Sequence, residues 1–445
     1  MFRFCSGGKS AKFGAVICAL LLAAWPSLLG PTHNMVSTET NLLQRFPPGG
    51  PPIVWQVNKG DGYASPSIVG DRLILFHRLG NEEVVDCLNP RDGKPIWRFA
   101  YPTAYRDRYG YNHGPRSSPV IAGDSVFTFG AEGKLHCLDF ATGAMRWKRD
   151  IMAEFQLKPN FFGVGSTPLV EGNKLIVNVG SPTVVAFDTR TGKELWRAGN
   201  EWGPSYATPV SATIYGQRRV FVFAGGESDP PNGGLLCLDP ADGKMAFTFP
   251  WRGRRFESVN ASSPVVFSNR VFVSECYGSG GALLEALAGG GCSVVWTNRK
   301  FGTHFMTSIY KDGYLYGVDG YVMQAARLVC VDANTGKEMW GVQPVWEETV
   351  TTKEGPRKLV RGTFRGSLLS VDGRFLCLGE LGHLLWLELT PQGCRQLDRV
   401  WLFAAQETWT PPVLCDGLLY VCQNARDPFH DTPPRLICYD LREPK

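Results

Sequence analysis

The sequence predicts an all-β protein, an eight-bladed β-propeller of four-stranded antiparallel blades closed by pairing its N-terminal strand with its C-terminal blade. Three observations carry that prediction. The segments LNPRDGKPIW (88–97), LDFATGAMRW (138–147), FDTRTGKELW (187–196), LDPADGKMAF (238–247) and VDANTGKEMW (331–340) share an Asp or Asn, a Gly and a closing aromatic. The aromatic position recurs at Trp55, Trp97, Trp147, Trp196, Phe247, Trp296, Trp340 and Trp401, with a mean spacing of about 49 residues, the period of a propeller blade. The two ends complement each other: the last copy stops after RLICYDLREPK without a Trp strand, and IVWQV (53–57) is a Trp strand with no blade before it. Joining them removes the free sheet edges and locks the ring.

At the N-terminus, Arg3, Lys9 and Lys12 stand without an acid before an apolar run, 13–29. That pattern reads residues 1–30 as a signal peptide or an N-terminal anchor with its basic side cytoplasmic. Residues 31–52, ending in FPPGGPP, read as a Pro-rich linker, and 53–445 as the propeller. The protein is thus expected to be exported, in the periplasm or cell envelope, as a monomer, with membrane attachment through the N-terminus left open.

Within a blade the order is shown by SSPVIAGDSVFTFGAEGKLHCLDFATGAMRW (117–147). A short β run ends at Gly-Asp, a second follows, a third ends at Asp, and a Thr-Gly turn leads into the Trp strand. The repeated Asp reads as a brace for turn amides and the repeated Trp as packing between blades, neither as catalytic. Thirteen cysteines fall to eleven, an odd number, once Cys5 and Cys18 are set aside. Cys87, Cys137, Cys237, Cys330 and Cys438 share one repeated position with Ala186, Ala286 and Trp386, which reads as a small buried site; a Cys276–Cys292 bridge is the alternative.

The first strand of each propeller blade lines the central channel, so residues just before it converge on one mouth. Aligning the Ser/Thr-Pro starts of those strands places Tyr63, Arg116, Gly165, Tyr206, Ala261, Phe305, Arg365 and Trp409 there, with His113, His304, Glu257 and Asn260 in the same loops. Two arginines among aromatics suit a flat anion, a peptide terminus or an acidic sugar; the competing reading has the aromatics plug the channel and the arginines pair with Glu257 or other loop acids. Glu257 with Asn260 is the one pairing that suggests a hard cation such as calcium. The segment 341–366 is the largest insertion and carries charge over one face.

Net charge is +5, or +2 without the three N-terminal cations, which gives no support to a nucleic-acid partner. No P-loop, H-E-x-x-H or G-x-S-x-G motif occurs, and His136 reads as a packed histidine.

The D-x-x-T-G-K-x-x-W turn, at Asp188 to Trp196 and Asp332 to Trp340, resembles the tryptophan-docking repeat of the pyrroloquinoline quinone (PQQ) dehydrogenase-like propellers, over residues 53–445. The resemblance implies the eight-bladed fold and leaves two branches for function. The quinoprotein alcohol and polyol dehydrogenases have two adjacent bridged cysteines beside the quinone; this sequence has no Cys-Cys pair and no C-x-x-C-H haem site. The other branch resembles the outer-membrane β-barrel assembly lipoprotein, a cofactor-free scaffold, although Cys18 lies inside the apolar run after Val16 and Ile17, not at an acylation site. The expected function is a non-catalytic binding or assembly scaffold without a cofactor, taking envelope proteins or a small ligand at the mouth. The alternative is a PQQ-dependent oxidoreductase, with Arg116 and Arg365 on carboxylates, Trp409 or Tyr206 on the quinone, and Glu257 with Asn260 on calcium. A carbohydrate or peptide sensor is the second alternative.

Overall fold

In the computed structural model, which describes residues 24–258, 260–352 and 355–443, eight antiparallel blades follow one another around a channel. The first blade is Ser67–Val69, Arg72–Leu79, Glu82–Leu88 and Pro95–Pro102. The next six lie within 120–150, 169–198, 210–250, 265–298, 309–342 and 367–401. The eighth combines Val413–Cys415, Leu418–Gln423 and Arg435–Asp440 with Ile53–Asn58, whose Gln56 faces Ile437, so the closure read from the two chain ends is the one observed. Middle strands are buried on both faces and fourth strands alternate, as expected when blades stack face to face.

The repeat acts at the joints between blades. Asp139 Oδ1 accepts hydrogen bonds from Ala141 N, Thr142 N and the Thr142 hydroxyl, which fixes the turn so that Gly143 takes a φ of 74°. A Cβ at Gly143 would lie 2.5 Å from Trp97 of the preceding blade. Only glycine lets the indole lie on the turn, and the indole N–H then donates to Phe140 O at 3.1 Å. The same bond joins Trp55 to Pro90, Trp147 to Thr189, Trp196 to Pro240, Trp296 to Ala333 and Trp340 to Thr390, at 2.7–3.1 Å. Phe247 has no N–H to give; there Gly291 N donates to Ala246 O instead, at 3.3 Å.

Two assignments in the repeat need correction. Each docked aromatic follows a one-residue bulge and faces a third-strand residue: Cys87 faces Trp97, Cys137 Trp147, Ala186 Trp196, Cys237 Phe247, Cys330 Trp340 and Cys438 Trp55. In the fifth blade that position is Leu283, opposite Trp296, and not Ala286. In the seventh, Trp386 holds it but faces Asp398, while Trp401 lies three residues further on, opposite His383, and donates to Leu381 O of its own blade. In both blades the third-to-fourth-strand ladder runs on past that position, to Ala286 opposite Cys292 and to Thr390 opposite Gly393, so equal spacing along the chain ceases to mean equal register. All eleven described cysteines are free thiols, Cys276 and Cys292 included.

Residues 24–52 are bonded to the propeller at several points, including the stretch read as a linker. Ala24–Trp25 adds an inner strand to the first blade, with Trp25 opposite Ile68 and fully buried. Pro26 O then accepts from Ile121 N of the second blade, and Met35 and Ser37 exchange backbone bonds with Ser370 of the seventh. The segment therefore crosses the channel and closes it. Residues 41–52 continue along the eighth blade, where Leu43 N donates to Leu441 O and Asp440 N to Pro52 O. The signal or anchor expectation falls largely on residues 1–23, outside the described residues. The 341–366 insertion forms a hairpin, Val345–Thr352 with Gly355–Gly362, that lies against the seventh blade: Arg399 sits 4.1 Å from the Trp346 ring and Arg361 5.1 Å from that of Trp401.

Candidate functional site

The mouth is built in part by side chains that tie one inner strand to the next, through a hydroxyl that accepts an amide, at four of the eight junctions. Ser118 Oγ accepts from Ser65 N at 2.9 Å, Thr167 Oγ1 from Ser118 N at 3.0 Å, Ser263 Oγ from Thr208 N at 3.0 Å and Thr307 Oγ1 from Ser263 N at 3.1 Å. A small hydroxyl residue can reach a neighbouring amide here, and a proline beside it leaves no N–H unpaired. The residues just before these pairs are consequently aimed inward.

There they surround a chamber of about 360 Å³. All eight aligned positions, Tyr63, Arg116, Gly165, Tyr206, Ala261, Phe305, Arg365 and Trp409, line it, and so does His304. Leu28, Leu29 and Met35 of the crossing segment form its floor. His113 is outside: its ring accepts from Asp107 N at 3.1 Å and its carbonyl from Arg78, so it shapes the loop that carries Asp107. Glu257 and Asn260 have opposite environments. Glu257 is exposed, whereas Asn260 is fully buried and donates its amide to Ala224 O and Trp251 O. Among the described residues no group of three or more His, Cys, Asp or Glu is gathered as a metal site.

Both arginines already have internal partners. Arg116 pairs with Asp107 at 2.7 Å, the carboxylate having no exposed surface. Arg365 pairs with Glu380, which also accepts the Trp409 indole N–H at 2.8 Å. The reading that loop acids neutralise the arginines thus describes the site, with Asp107 and Glu380 in the place expected for Glu257. Tyr63 donates its hydroxyl to Glu407; burial, then that carboxylate, push its pKa above the usual tyrosine value. Tyr206 accepts from Phe162 N at 2.8 Å, and burial raises its pKa too. His304 shares a 3.0 Å bond with the Tyr277 hydroxyl; burial first, then Arg365, lower its pKa to about 3, so the ring is neutral at physiological pH.

Tyr111, Phe162, Tyr277 and Tyr321 also line the chamber without having been singled out. The first two lie in YGYNH and NFFG, aromatic runs in the loops that lead into inner strands, and that composition is a usable signal. Tyr277 and Tyr321 follow second strands, whose loops open on the same face but fall outside the Ser/Thr-Pro alignment. The floor was hidden because Leu28 and Leu29 read as part of a signal peptide or anchor and Met35 as part of a linker.

A family model described as outer membrane protein assembly factor BamB matches residues 81–342, more than half of the chain. The BamB of Shewanella oneidensis is 24% identical over 352 residues, covering 72% of this chain and 78% of the relative. Among solved structures, BamB from Moraxella catarrhalis superposes with a TM-score of 0.57 at 15% identity, over 88% of this chain and 98% of that one. The quinohemoprotein alcohol dehydrogenase of Comamonas testosteroni reaches 0.63 at 12% identity, over 95% and 81%, so the fold itself is common to an assembly factor and a dehydrogenase. What separates this chain from a general propeller is the repeat that the family model recognises, and by that match it belongs to the outer membrane protein assembly factor BamB family.

Proposed function

We propose that the protein is an exported, monomeric binding scaffold of the cell envelope that works in outer membrane protein assembly and uses no cofactor. The observation that carries this reading is the pairing of both mouth arginines with Asp107 and Glu380. A tricarboxylate quinone needs guanidinium forks that are free, and removing Arg116 from a fully buried carboxylate would leave that charge unpaired. The calcium pair of the enzyme reading is not brought together either: Glu257 faces solvent whereas Asn260 is fully buried, and among the described residues no group of three or more acidic, His or Cys side chains gathers beside them. Membership of the assembly-factor family adds to this, as do loops that present exposed rings such as Tyr109 and Phe256 beside the mouth.

The test has two arms. A photo-crosslinking residue in place of Tyr109 in host cells is expected to capture a component of outer membrane protein assembly. Calorimetric titration of the full chain with PQQ in calcium buffer is expected to give no saturable heat. Saturable PQQ binding that weakens in both Arg116→Ala and Arg365→Ala would overturn the reading in favour of the oxidoreductase.

A further inference from the structure

We propose that the chamber at the channel mouth binds an uncharged aromatic carbonyl compound, with its ring against Phe305 and Trp409 and its oxygen on the Tyr111 hydroxyl. The proposal goes beyond the scaffold reading and rests on the lining of the chamber alone.

Charge is matched within the wall. Among the described residues, Arg116 and Arg365 are the charged side chains that line the chamber, and each is already paired, with Asp107 and with Glu380. Arg116 also donates to Gly114 O and Asn112 O, and Arg365 to Tyr321 O. Glu407, which accepts the Tyr63 hydroxyl, does not line the space, and neither does the exposed Arg255, which donates to the Tyr321 hydroxyl at 3.0 Å. His304 lines it as a neutral ring. An ion of either sign would lose its hydration here without finding a free counter-charge.

Hydrogen bonding in the lining has a direction. The hydroxyls of Tyr206, Tyr321, Ser263 and Thr307 each accept from an N–H, of Phe162, Arg255, Thr208 and Ser263 in turn, and give their own protons to no described residue. The Tyr111 hydroxyl has no partner at all among the described residues. The wall therefore holds a surplus of O–H donors, and a guest satisfies them with acceptor oxygens. A carbonyl supplies such an oxygen without bringing a charge.

The rings leave their faces open. Trp409 meets Tyr63, Tyr111 and Phe305 at centroid distances of 5.2, 5.4 and 5.6 Å, with interplanar angles of 41°, 61° and 52°, so none of the three stacks on it. Arg365 lies 5.0 Å from the Trp409 ring, which leaves the other side of the indole for a guest. Offset stacking is thus the favourable arrangement that these walls have not used among themselves, and a flat guest can take it. A chamber of about 360 Å³ is of the size of small-molecule sites.

Acetylnaphthalene, isopropylnaphthalene, naphthoate and naphthylmethylammonium share one fused ring and separate the carbonyl from charge. In equilibrium dialysis with the full chain, acetylnaphthalene is expected to bind saturably. The hydrocarbon is expected to bind at least about fivefold more weakly, and the two ions at least about tenfold more weakly. Tyr111→Phe is expected to abolish the preference for the ketone while leaving the hydrocarbon unchanged. Phe305→Leu keeps an apolar side chain but removes a ring face, and is expected to weaken both uncharged compounds about fivefold, which preserves the test if the Tyr111 variant fails to fold. Tighter binding of either ion, equal binding of ketone and hydrocarbon, an undiminished ketone preference in Tyr111→Phe, or no saturable binding by the folded chain would overturn the proposal. None of these results touches the crosslinking arm, so the scaffold reading stands or falls separately.

Discussion

Between the first and second blades, the Trp97 indole lies on Gly143 and donates to Phe140 O across the joint. Between the seventh and eighth blades the same register position holds Asp398, whose carboxylate accepts from Phe46 N at 2.5 Å. The first joint is made by two neighbouring copies of one repeat. The second is made by residues 352 positions apart, because the eighth blade ends where its third-to-fourth-strand turn should be and the segment 41–52 takes that turn's place. A repeat can thus supply a joint only where both halves of the unit exist, and ring closure has to be assembled from parts of the chain that do not repeat.

The largest expected effect is at a repeated joint. Trp296 is 8% exposed, donates to Ala333 O, and lies so close to Gly336 that a Cβ there would be 2.5 Å away. Trp296→Ala removes a buried indole that packs on the Gly336 turn and against the Phe272 ring, and the turn's backbone cannot move into the gap. A loss of about 3–5 kcal/mol is expected in urea unfolding. A loss below about 1 kcal/mol would mean that the repeated joints are not where the ring derives its stability.

Acid sharpens the comparison, since His136 in the second blade and His383 in the seventh are both buried, and burial lowers each pKa from 6.5 to about 4. A ring that binds its proton less readily folded than unfolded contributes stability at high pH that is lost as pH falls through 6.5 towards 4. Stability is therefore expected to drop across that window, by on the order of 2 kcal/mol per ring at pH 5. His383 has an added contribution from Glu348: burial opposes its ionisation, but the 2.6 Å bond to the ring and the ring's charge outweigh it and hold the carboxyl below the usual glutamate value, a stabilisation lost only as pH falls below about 4.5. Replacement by Gln should flatten the slope between about pH 7.5 and 4.5 in both cases, and melting curves continued below about pH 4.5 show the additional loss at His383.

How much of this was legible in the sequence follows the same division. Blade count, closure by 53–57 and all eight mouth positions come from local patterns repeated along the chain: Asp-x-x-Thr-Gly, a Trp strand, and Ser/Thr-Pro. The shifts at Leu283 and Trp401 escaped because lengthened hairpins change register without changing composition. Asp107 and Glu380 escaped because a partner across a loop has no fixed spacing. The floor escaped for a different reason: Leu28 and Leu29 extend an apolar run, and hydropathy does not distinguish a side chain destined for lipid from one destined for a protein channel. Free cysteines opposite the Trp strands were legible, because Ala186 in one copy showed how small the site is.

The smallest expected effect is at the closing joint. Asp398→Ala removes one charge-assisted acceptor from a half-buried site at which Phe46 N can turn to water, and Trp386, fully buried beside it, keeps its packing. About 1.5 kcal/mol is expected. The informative quantity is how that loss adds to others. Residues 41–52 are bonded to the eighth blade at Leu441, Asp440 and Glu443 as well, so the segment should stay in place and the loss should add to that of Trp296→Ala, more than one blade away. If instead the double variant loses well beyond the sum, the closing joint controls the whole ring, and the distinction between repeated and assembled joints would be one of sequence origin only.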